Sequence, residues 1–272
     1  MTRRAKEREQ GFVLLCVVLA VAFIAGAILA TWMVVTAQRQ DSELERAQLA
    51  YLAQLKAQLE QWFAVNAASM DAAAAAPDMQ AVLGQIGVAP RWNLQVRASE
   101  RQTRDGVAFR VIALWLPRAG APDTTTFDPA TGTFIPAANT PNAQINGQVI
   151  QSKALAASRA GLQRLAQTLE NRFKAQYLAD PNRNITINHF RAGSCASPLP
   201  DELPCLDDYT ALDANLLLAM GADARLARNS WNLAVEGSNG TEAQTTIPPY
   251  TFALRTATPW GTQLRASAIQ PL

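Results

Sequence analysis

The sequence predicts an α+β protein with one transmembrane helix near its N-terminus. Three observations support this: an uncharged apolar run at residues 12–37, a helical pattern continuing beyond it, and a helix-then-strand order that occurs twice. About 20 apolar residues suffice to cross a bilayer core. A cleaved secretory signal has an apolar stretch of only about 7–15 residues and ends in a small-residue site, which this run lacks. Because a buried core helix is rarely apolar on every side, we expect residues 12–37 to span a membrane.

Charge is concentrated before this run. The chain has 272 residues, with 24 Lys+Arg against 22 Asp+Glu, and a formal net charge of +2. The whole excess lies in the leader, residues 1–11, whose charged residues are Arg3, Arg4, Lys6, Glu7, Arg8 and Glu9. The neutral remainder disfavours nucleic-acid binding. Since basic residues stay on the cytoplasmic side of a membrane helix, we expect a single-pass protein with a cytoplasmic leader.

The junction of leader and apolar run, Lys6–Leu15, places Gly11 directly before Phe12. It resembles the type III signal of type IV prepilins and type II secretion pseudopilins. In that family a prepilin peptidase cleaves after the glycine and methylates the new N-terminal amine, which implies a mature chain beginning at Phe12. Main subunits have Glu at the fifth mature position, where this chain has Cys16. Minor subunits that initiate or cap filaments lack that Glu, so the chain is more similar to a minor subunit.

An alternative interpretation is that Cys16 is the lipid-modified cysteine of a lipoprotein. That interpretation is disfavoured because Leu15 stands before it, where a small residue is needed. We expect Cys16 to be a small apolar helix residue.

The first half of the body follows a helix-then-sheet order. Apolar residues at three- and four-residue steps predict that the membrane helix continues to about Asn66, as one rod of roughly 80 Å like the long first helix of pilins. The elements expected next are an Ala-rich connector at Asp71–Pro77, a short helix at Met79–Gly84, and strands at Trp92–Ala98 and Val107–Leu116 joined by a polar turn at 104–106.

The second half repeats this order. A helix is predicted at Ala154–Leu178, and the pattern Leu55-x3-Leu59-Glu60-x2-Phe63 recurs there as Leu165-x3-Leu169-Glu170-x2-Phe173. Three further matches are Trp92-Asn93-Leu94 with Trp231-Asn232-Leu233, Phe109 with Phe252, and Pro117 with Pro259. We predict a duplicated helix-plus-antiparallel-sheet unit with Trp92 and Trp231 as core anchors. The expected domains are 38–150, which includes a Pro/Thr/Asn-rich linker at 117–147, and 151–272.

Cys195 and Cys205 lie in a proline-rich loop at 191–206. Outside the cytoplasm a disulfide is their natural use, and it would stabilise the fold by about 2–3 kcal/mol. A zinc site is disfavoured because His189 is the one histidine in the chain. Acidic residues around the loop leave calcium as an alternative to solvated side chains: Asp201, Glu202, Asp207, Asp208 and Asp213. We favour solvated acids, with Asp207 and Asp208 leading into a helix from about Ala211, and expect no metal or cofactor.

No catalytic motif is present in the sequence. His189 lies in a predicted strand, Ile185–Phe190, and is expected to be structural, so we predict a protein that is not an enzyme. The resemblance implies a minor pilin or pseudopilin of the bacterial inner membrane with its body in the periplasm. Its partners would be other pilin subunits, the prepilin peptidase, the inner-membrane assembly platform and the lipid bilayer. The alternative is a bitopic inner-membrane component of the assembly machinery, and an anchored periplasmic hydrolase using His189 is a third interpretation.

Overall fold

The computed structural model of the protein describes residues 3–120, 122–197 and 202–270, with side chains from residue 22 onward except that of residue 37. The described residues form two compact units, which meet in sequence between Gln54 and Leu55. The first unit is entirely helical in its described part, and the second contains helices and antiparallel sheets. The fold is therefore α+β with a long N-terminal apolar helix, which confirms the predicted class.

Helix α1 extends from Arg3 to Ala72, beyond its expected end at Asn66. Asn66 itself is non-helical, with φ −105° and ψ 19°. Its side-chain amide donates a hydrogen bond to the carbonyl of Trp62 at 2.9 Å, a local contact of the kind that competes with the regular helical pattern. The helix resumes after this interruption, so Asp71 belongs to its last turn and not to a connector.

The next elements include the strands of a three-stranded sheet and two separate strand pairs. They are α2 (Met79–Gln85), β1 (Gln95–Ala98), β2 (Gln102–Arg104), β3 (Val107–Phe109), β4 (Val111–Trp115), β5 (Thr126–Asp128), β6 (Thr133–Ile135) and β7 (Asn142–Asn146). The separate pairs are β2 with β3 and β5 with β6. Strands β1, β4 and β7 form the first sheet in that order, all antiparallel. The predicted turn at 104–106 joins β2 to β3, not two strands of this sheet. Asp105 and Gly106 both have positive φ there, as a tight two-residue hairpin turn requires.

The remaining elements are helices and the four strands of a second sheet. They are α3 (Gly147–Ala179), β8 (Thr210–Ala211), α4 (Ala214–Ala219), a 3₁₀ turn (Ala224–Ala227), β9 (Val235–Ser238), β10 (Thr251–Ala257) and β11 (Gln263–Ile269). Strands β8 to β11 form an antiparallel meander, the second sheet. Helix α3 begins before the predicted Ala154 because the Asn146 side chain caps it, accepting a 2.9 Å hydrogen bond from the backbone N–H of Gln148.

The strand predicted at Ile185–Phe190 is wrong, because this segment forms turns. The side chain of Asn184 accepts from the backbone N–H of Thr186 at 2.9 Å, and that of Asn188 accepts from Phe190 at 3.0 Å. Such asparagine bonds to the following backbone favour turns over strands. The expected helix start near Ala211 is also wrong, since α4 begins after Asp213, which caps it.

A helix followed by three antiparallel strands occurs twice, with β9, β10 and β11 corresponding to β1, β4 and β7. Val96 faces Leu114 across the first sheet, and its counterpart Val235 faces Thr256 across the second. The same register aligns Pro117 with Pro259, as predicted. When the register is continued towards the N-terminal ends of β4 and β10, Phe252 corresponds to Arg110. The predicted match of Phe252 with Phe109 is therefore wrong by one residue.

The two Trp-Asn-Leu segments lie in turns, so the strands begin later than expected, at Gln95 and Val235. Asn93 and Asn232 both have positive φ in these turns. Trp231 is buried at 4% exposure, but Trp92 is 37% exposed. The expectation of a core anchor therefore holds for Trp231 and is wrong for Trp92.

Both sheets lie in the second compact unit. Helix α3 contacts β3 and β4 as well as β10 and β11. The division of the body into domains 38–150 and 151–272 stays a prediction.

Candidate membrane anchor and polar junction

Helix α1 is long and apolar enough to cross a membrane, judged by length and composition. Its large apolar side chains from residue 22 to residue 35 are exposed, including Phe23 at 82% and Trp32 at 65%. The hydroxyl of Thr31 donates to the carbonyl of Ala27 at 2.7 Å, and that of Thr36 donates to the carbonyl of Trp32 at 2.9 Å. These polar groups are thus satisfied within the helix, as a hydrocarbon environment requires.

The predicted processing residues lie in the backbone of the same helix, which includes the bond between Gly11 and Phe12. The side chains of these residues and of Cys16 lie outside the described residues. Cleavage and methylation stay predictions.

The later part of α1 buries one face within the second compact unit. Its buried apolar residues are Leu55, Leu59, Phe63, Ala67 and Met70, each at 3% exposure or less. Their three- and four-residue spacing is that of one helix face, as the sequence predicts. Gly147, at the start of α3, lies so close that a Cβ there would come within 2.6 Å of the Phe63 ring. Glycine at this position therefore allows the first turn of α3 to approach α1.

The end of α1 is held by a buried arginine that sequence reasoning did not single out. Arg110 is fully buried between β3 and β4. Its Nε donates to the carbonyl of Met70 at 2.6 Å, and its Nη2 donates to the carbonyl of Ala73. The Nη1 donates to the carbonyl of Ser99 at 2.9 Å. The last carbonyls of a helix have no partner within it, so a guanidinium here satisfies them and complements the helix dipole.

Asp71 is the acidic partner of Arg110. Both side chains are fully buried, with Asp71 Oδ1 lying 3.4 Å from Arg110 Nε. Burial raises the pKa of Asp71 to about 6, although a hydrogen bond from Gln151 and the charge of Arg110 oppose the rise. Burial likewise lowers the pKa of Arg110. The pair therefore bears a desolvation cost that its mutual attraction offsets only in part.

Gln151 connects this pair to the second half of the protein. Its Nε2 donates to Asp71 Oδ2, and also to the carbonyl of Ala67 at 3.2 Å. Its Oε1 accepts from the indole N–H of Trp231 at 2.7 Å. We call Asp71, Arg110, Gln151 and Trp231 the polar junction, because they link α1, the first sheet, α3 and the turn before β9 by direct hydrogen bonds.

The disulfide between Cys195 and Cys205 is present, with Cα atoms 5.4 Å apart, which confirms the predicted pairing. Buried Asn239, after β9, holds the segments on either side of the loop. Its side-chain amide donates to the carbonyls of Phe190 at 2.6 Å and Pro204 at 2.8 Å, and its oxygen accepts from the backbone N–H of Leu206 at 2.7 Å. The loop is thereby fixed to the end of the second sheet.

The acids near this loop have protein partners. Asp207 pairs with Arg191 at 2.5 Å, Asp208 accepts from the hydroxyl of Thr241 at 3.2 Å, and Asp213 caps α4. Asp201 lies outside the described residues. In the part of the chain that the structure describes, no group of three or more His, Cys, Asp or Glu side chains is arranged to hold a metal ion.

His189 is half-buried against the ring of Phe173, with ring centroids 5.6 Å apart. Its Nε2 is buried without a hydrogen-bond partner in the structure. Burial lowers the pKa of the imidazole, against the opposing charge of Asp180. This environment favours the neutral imidazole, and a structural role for His189 stays a prediction.

Comparison of the chain with protein-family models, with curated proteins and with solved structures finds no match. The class of the protein rests on its fold and on helix α1: it is an α+β protein in which one helix of the described residues, near the N-terminus, is long and apolar enough to span a membrane.

Proposed function

We propose that the protein is a non-enzymatic minor pilin or pseudopilin that primes or caps a type IV pilus or a type II secretion pseudopilus. Helix α1 carries this proposal. Its residues 22–35 expose apolar side chains suited to lipid or to like helices, while Leu55 to Met70 bury one face against the α+β body. A membrane helix that continues into a folded head is the arrangement a filament subunit needs.

The mechanism is structural. Removal of residues 1–11 discards the charged leader and frees the amine of Phe12. The exposed apolar side chains of α1 then pack in a bundle of like helices as subunits leave the bilayer. Because Cys16 cannot neutralise a neighbouring subunit's amine as a Glu would, the subunit suits an initiating or terminal place, where no further subunit need stack on it.

The disulfide supports a periplasmic body. Disulfides persist in the bacterial periplasm and are rare in the cytosol. The loop that Cys195 and Cys205 close has no counterpart between α1 and the first sheet, so it adds a surface to the second half alone. A contact surface on the head is consistent with a subunit that recognises one particular neighbour.

The test is the N-terminal residue of the mature chain. Co-expression with a prepilin peptidase, followed by intact-mass and peptide mass spectrometry, should give a chain beginning with N-methylated Phe12. A Gly11→Val variant and a strain with inactive peptidase are the controls, and both should retain residues 1–11. Retention of the leader in the wild-type chain beside an active peptidase would sink the proposal.

The alternative is a bitopic inner-membrane component of the assembly machinery. It is favoured by one observation, namely that α1 continues as helix through the Gly11–Phe12 bond. Purified sheared filaments separate the two functions. Presence of the chain in the filament fraction supports the subunit, and strict retention in the membrane fraction supports the machinery component.

A further inference from the structure

A groove runs along α3 on the face turned to the segment 223–230. It consists of two adjoining cavities of about 320 Å³ and 300 Å³. Arg164, Asp223 and Leu226 line both cavities, which makes them one continuous feature. Nothing in the sequence analysis or in the proposed filament function uses this groove.

The floor of the groove is apolar. Leu162, Leu165 and Val235 line it and are each buried at 4% exposure or less. Gly161 keeps it open, since a Cβ there would lie 3.8 Å from the Leu226 side chain and a longer side chain would enter the space. The apolar surface that a ligand could cover is that of Leu226, which is half-buried and lines both cavities.

The rim is basic. Arg164, Arg225 and Arg228 line the groove against one acid, Asp223, which pairs with Arg225 at 2.8 Å. Arg228 donates to the carbonyl of Asn232 at 2.8 Å. These three residues make this face positive, although the chain after the leader is neutral overall.

Helix α3 adds to the positive charge. Its charged residues are Lys153, Arg159, Arg164, Glu170, Arg172 and Lys174, of which one is acidic. That acid, Glu170, accepts a hydrogen bond from the backbone N–H of Ile269 in β11. The excess of basic side chains along the helix favours an anionic ligand.

The length of the groove limits how many residues of an extended peptide it can hold. On the helix side the lining runs from Ala157 to Asn171, which at about 1.5 Å per residue is roughly 21 Å. An extended chain rises about 3.3 Å per residue, so roughly six residues fill that length. Carboxylates are the natural partners of arginine forks.

A nucleic acid fits less well. Single-stranded nucleic acid binds proteins largely by stacking its bases on aromatic rings. The residues that line the groove include no aromatic side chain.

We propose that this groove binds an extended acidic segment of about six residues from a partner protein. Carboxylates of the segment contact Arg164, Arg225 and Arg228, and an apolar side chain between them packs on Leu226. An incoming carboxylate replaces Asp223 as the partner of Arg225. The proposal holds for a filament subunit and for a membrane-retained component, because it depends on the second half of the protein alone.

The experiment uses the full chain in non-ionic detergent micelles and a fluorescein-labelled peptide, Glu-Leu-Glu-Leu-Glu-Leu, followed by fluorescence anisotropy. We expect saturable binding that weakens with salt, and about tenfold or greater loss of affinity in an Arg164→Glu/Arg225→Glu double variant. The matched control is Arg104→Glu/Arg118→Glu, which makes the same charge change at two exposed positions outside the groove and should keep wild-type affinity.

A Gly161→Leu variant tests the shape of the groove without changing its charge. Leucine is a better helix former than glycine, so the fold is retained while the cavity is filled. Thermal unfolding checks the fold, and peptide binding should be lost. Three results would overturn the proposal: no binding of the acidic peptide, equal loss in the control double variant, or tighter binding of Lys-Leu-Lys-Leu-Lys-Leu or of a thymidine hexanucleotide.

Discussion

At corresponding buried positions, the first sheet has a charged residue and the second sheet has an aromatic one. Arg110, directly before the central strand of the first sheet, and Phe252, in the central strand of the second, correspond in register and are both fully buried. Phe252 packs edge-on against Phe190, with ring centroids 6.3 Å apart. Arg110 instead donates to four backbone carbonyls and faces a buried carboxylate.

The difference reflects what each position must contact. Arg110 lies where α1 ends, and the carbonyls of Met70 and Ala73 there need donors. Helix α3 ends with its own local cap, in which the backbone N–H of Asp180 donates to the carbonyl of Gln176. The buried position in the second sheet holds an aromatic ring that packs on Phe190, whereas that in the first holds a guanidinium that satisfies carbonyls at the end of α1.

The largest expected effect is that of Arg110→Met, which removes the charge and keeps much of the side-chain volume. It leaves Asp71 as a buried carboxylate without its cation and removes the donors from the end of α1. Breaking a buried pair in this way costs about 3–5 kcal/mol. Urea unfolding of the full chain in detergent micelles, followed by tryptophan fluorescence, measures the loss. Arg118→Met, at an exposed site, should change the unfolding free energy by less than about 0.5 kcal/mol.

Asp71 should give the protein an unusual pH dependence. Its pKa rises from 3.8 to about 6 on folding, so the folded state holds a proton that the unfolded state releases between these values. This group therefore stabilises the fold below about pH 4 and loses that contribution as the pH rises to 6, by roughly 3 kcal/mol.

The measurement compares the unfolding free energy of wild type and Asp71→Asn at pH 4 and pH 7. The variant cannot titrate at this position, so the difference between the two slopes isolates Asp71 from the other carboxylates. Asp41→Asn, on the exposed part of α1, is the control and should keep the wild-type slope. Parallel slopes in wild type and Asp71→Asn would contradict the assignment.

Phe252→Leu tests the apolar side of the comparison. Leucine retains most of the buried area but leaves a small cavity beside Phe190, so a loss of about 1–2 kcal/mol is expected. The same urea titration measures it. The comparison of the two sheets fails if this variant is more destabilising than Arg110→Met.

Trp231→Phe tests the hydrogen bond from Trp231 to Gln151, and its expected effect is no larger than that of Phe252→Leu. It removes the indole donor from Gln151 Oε1 and leaves that buried oxygen without a partner, at a cost of about 1–2 kcal/mol, with partial relief if water enters. Trp260→Phe is the control, because the indole N–H of Trp260 has no hydrogen-bond partner in the structure, and this variant should cost clearly less. Equal losses would mean that the hydrogen bond to Gln151 contributes nothing.

Features with a local cause were predictable from the sequence. The Leu55–Phe63 and Leu165–Phe173 faces follow helix periodicity, and Asp105-Gly106 forms a hairpin turn because glycine and aspartate tolerate positive φ. The disulfide followed from two cysteines near each other in a proline-rich loop.

The errors had two causes. The alternating polarity of Ile185–Phe190 was given more weight than the turn-forming bonds of Asn184 and Asn188, which are also local. The one-residue slip that matched Phe109 with Phe252 hid the role of Arg110, whose partners are distant in the chain. A single arginine within the otherwise apolar run Val107–Leu116 was the available signal. Gln151 gave no signal, because its partners are distant in the chain.

The sequence by itself determined the apolar N-terminal helix, the two amphipathic helices, the repeated order of elements and the disulfide, because each depends on spacing or composition within a short stretch. The tertiary structure alone decided the polar junction and the basic groove along α3. Asp71, Arg110, Gln151 and Trp231 meet only when both halves have folded. Burial makes the hydrogen bonds of Gln151 and the ion pair of Asp71 with Arg110 necessary, and no local pattern encodes that burial.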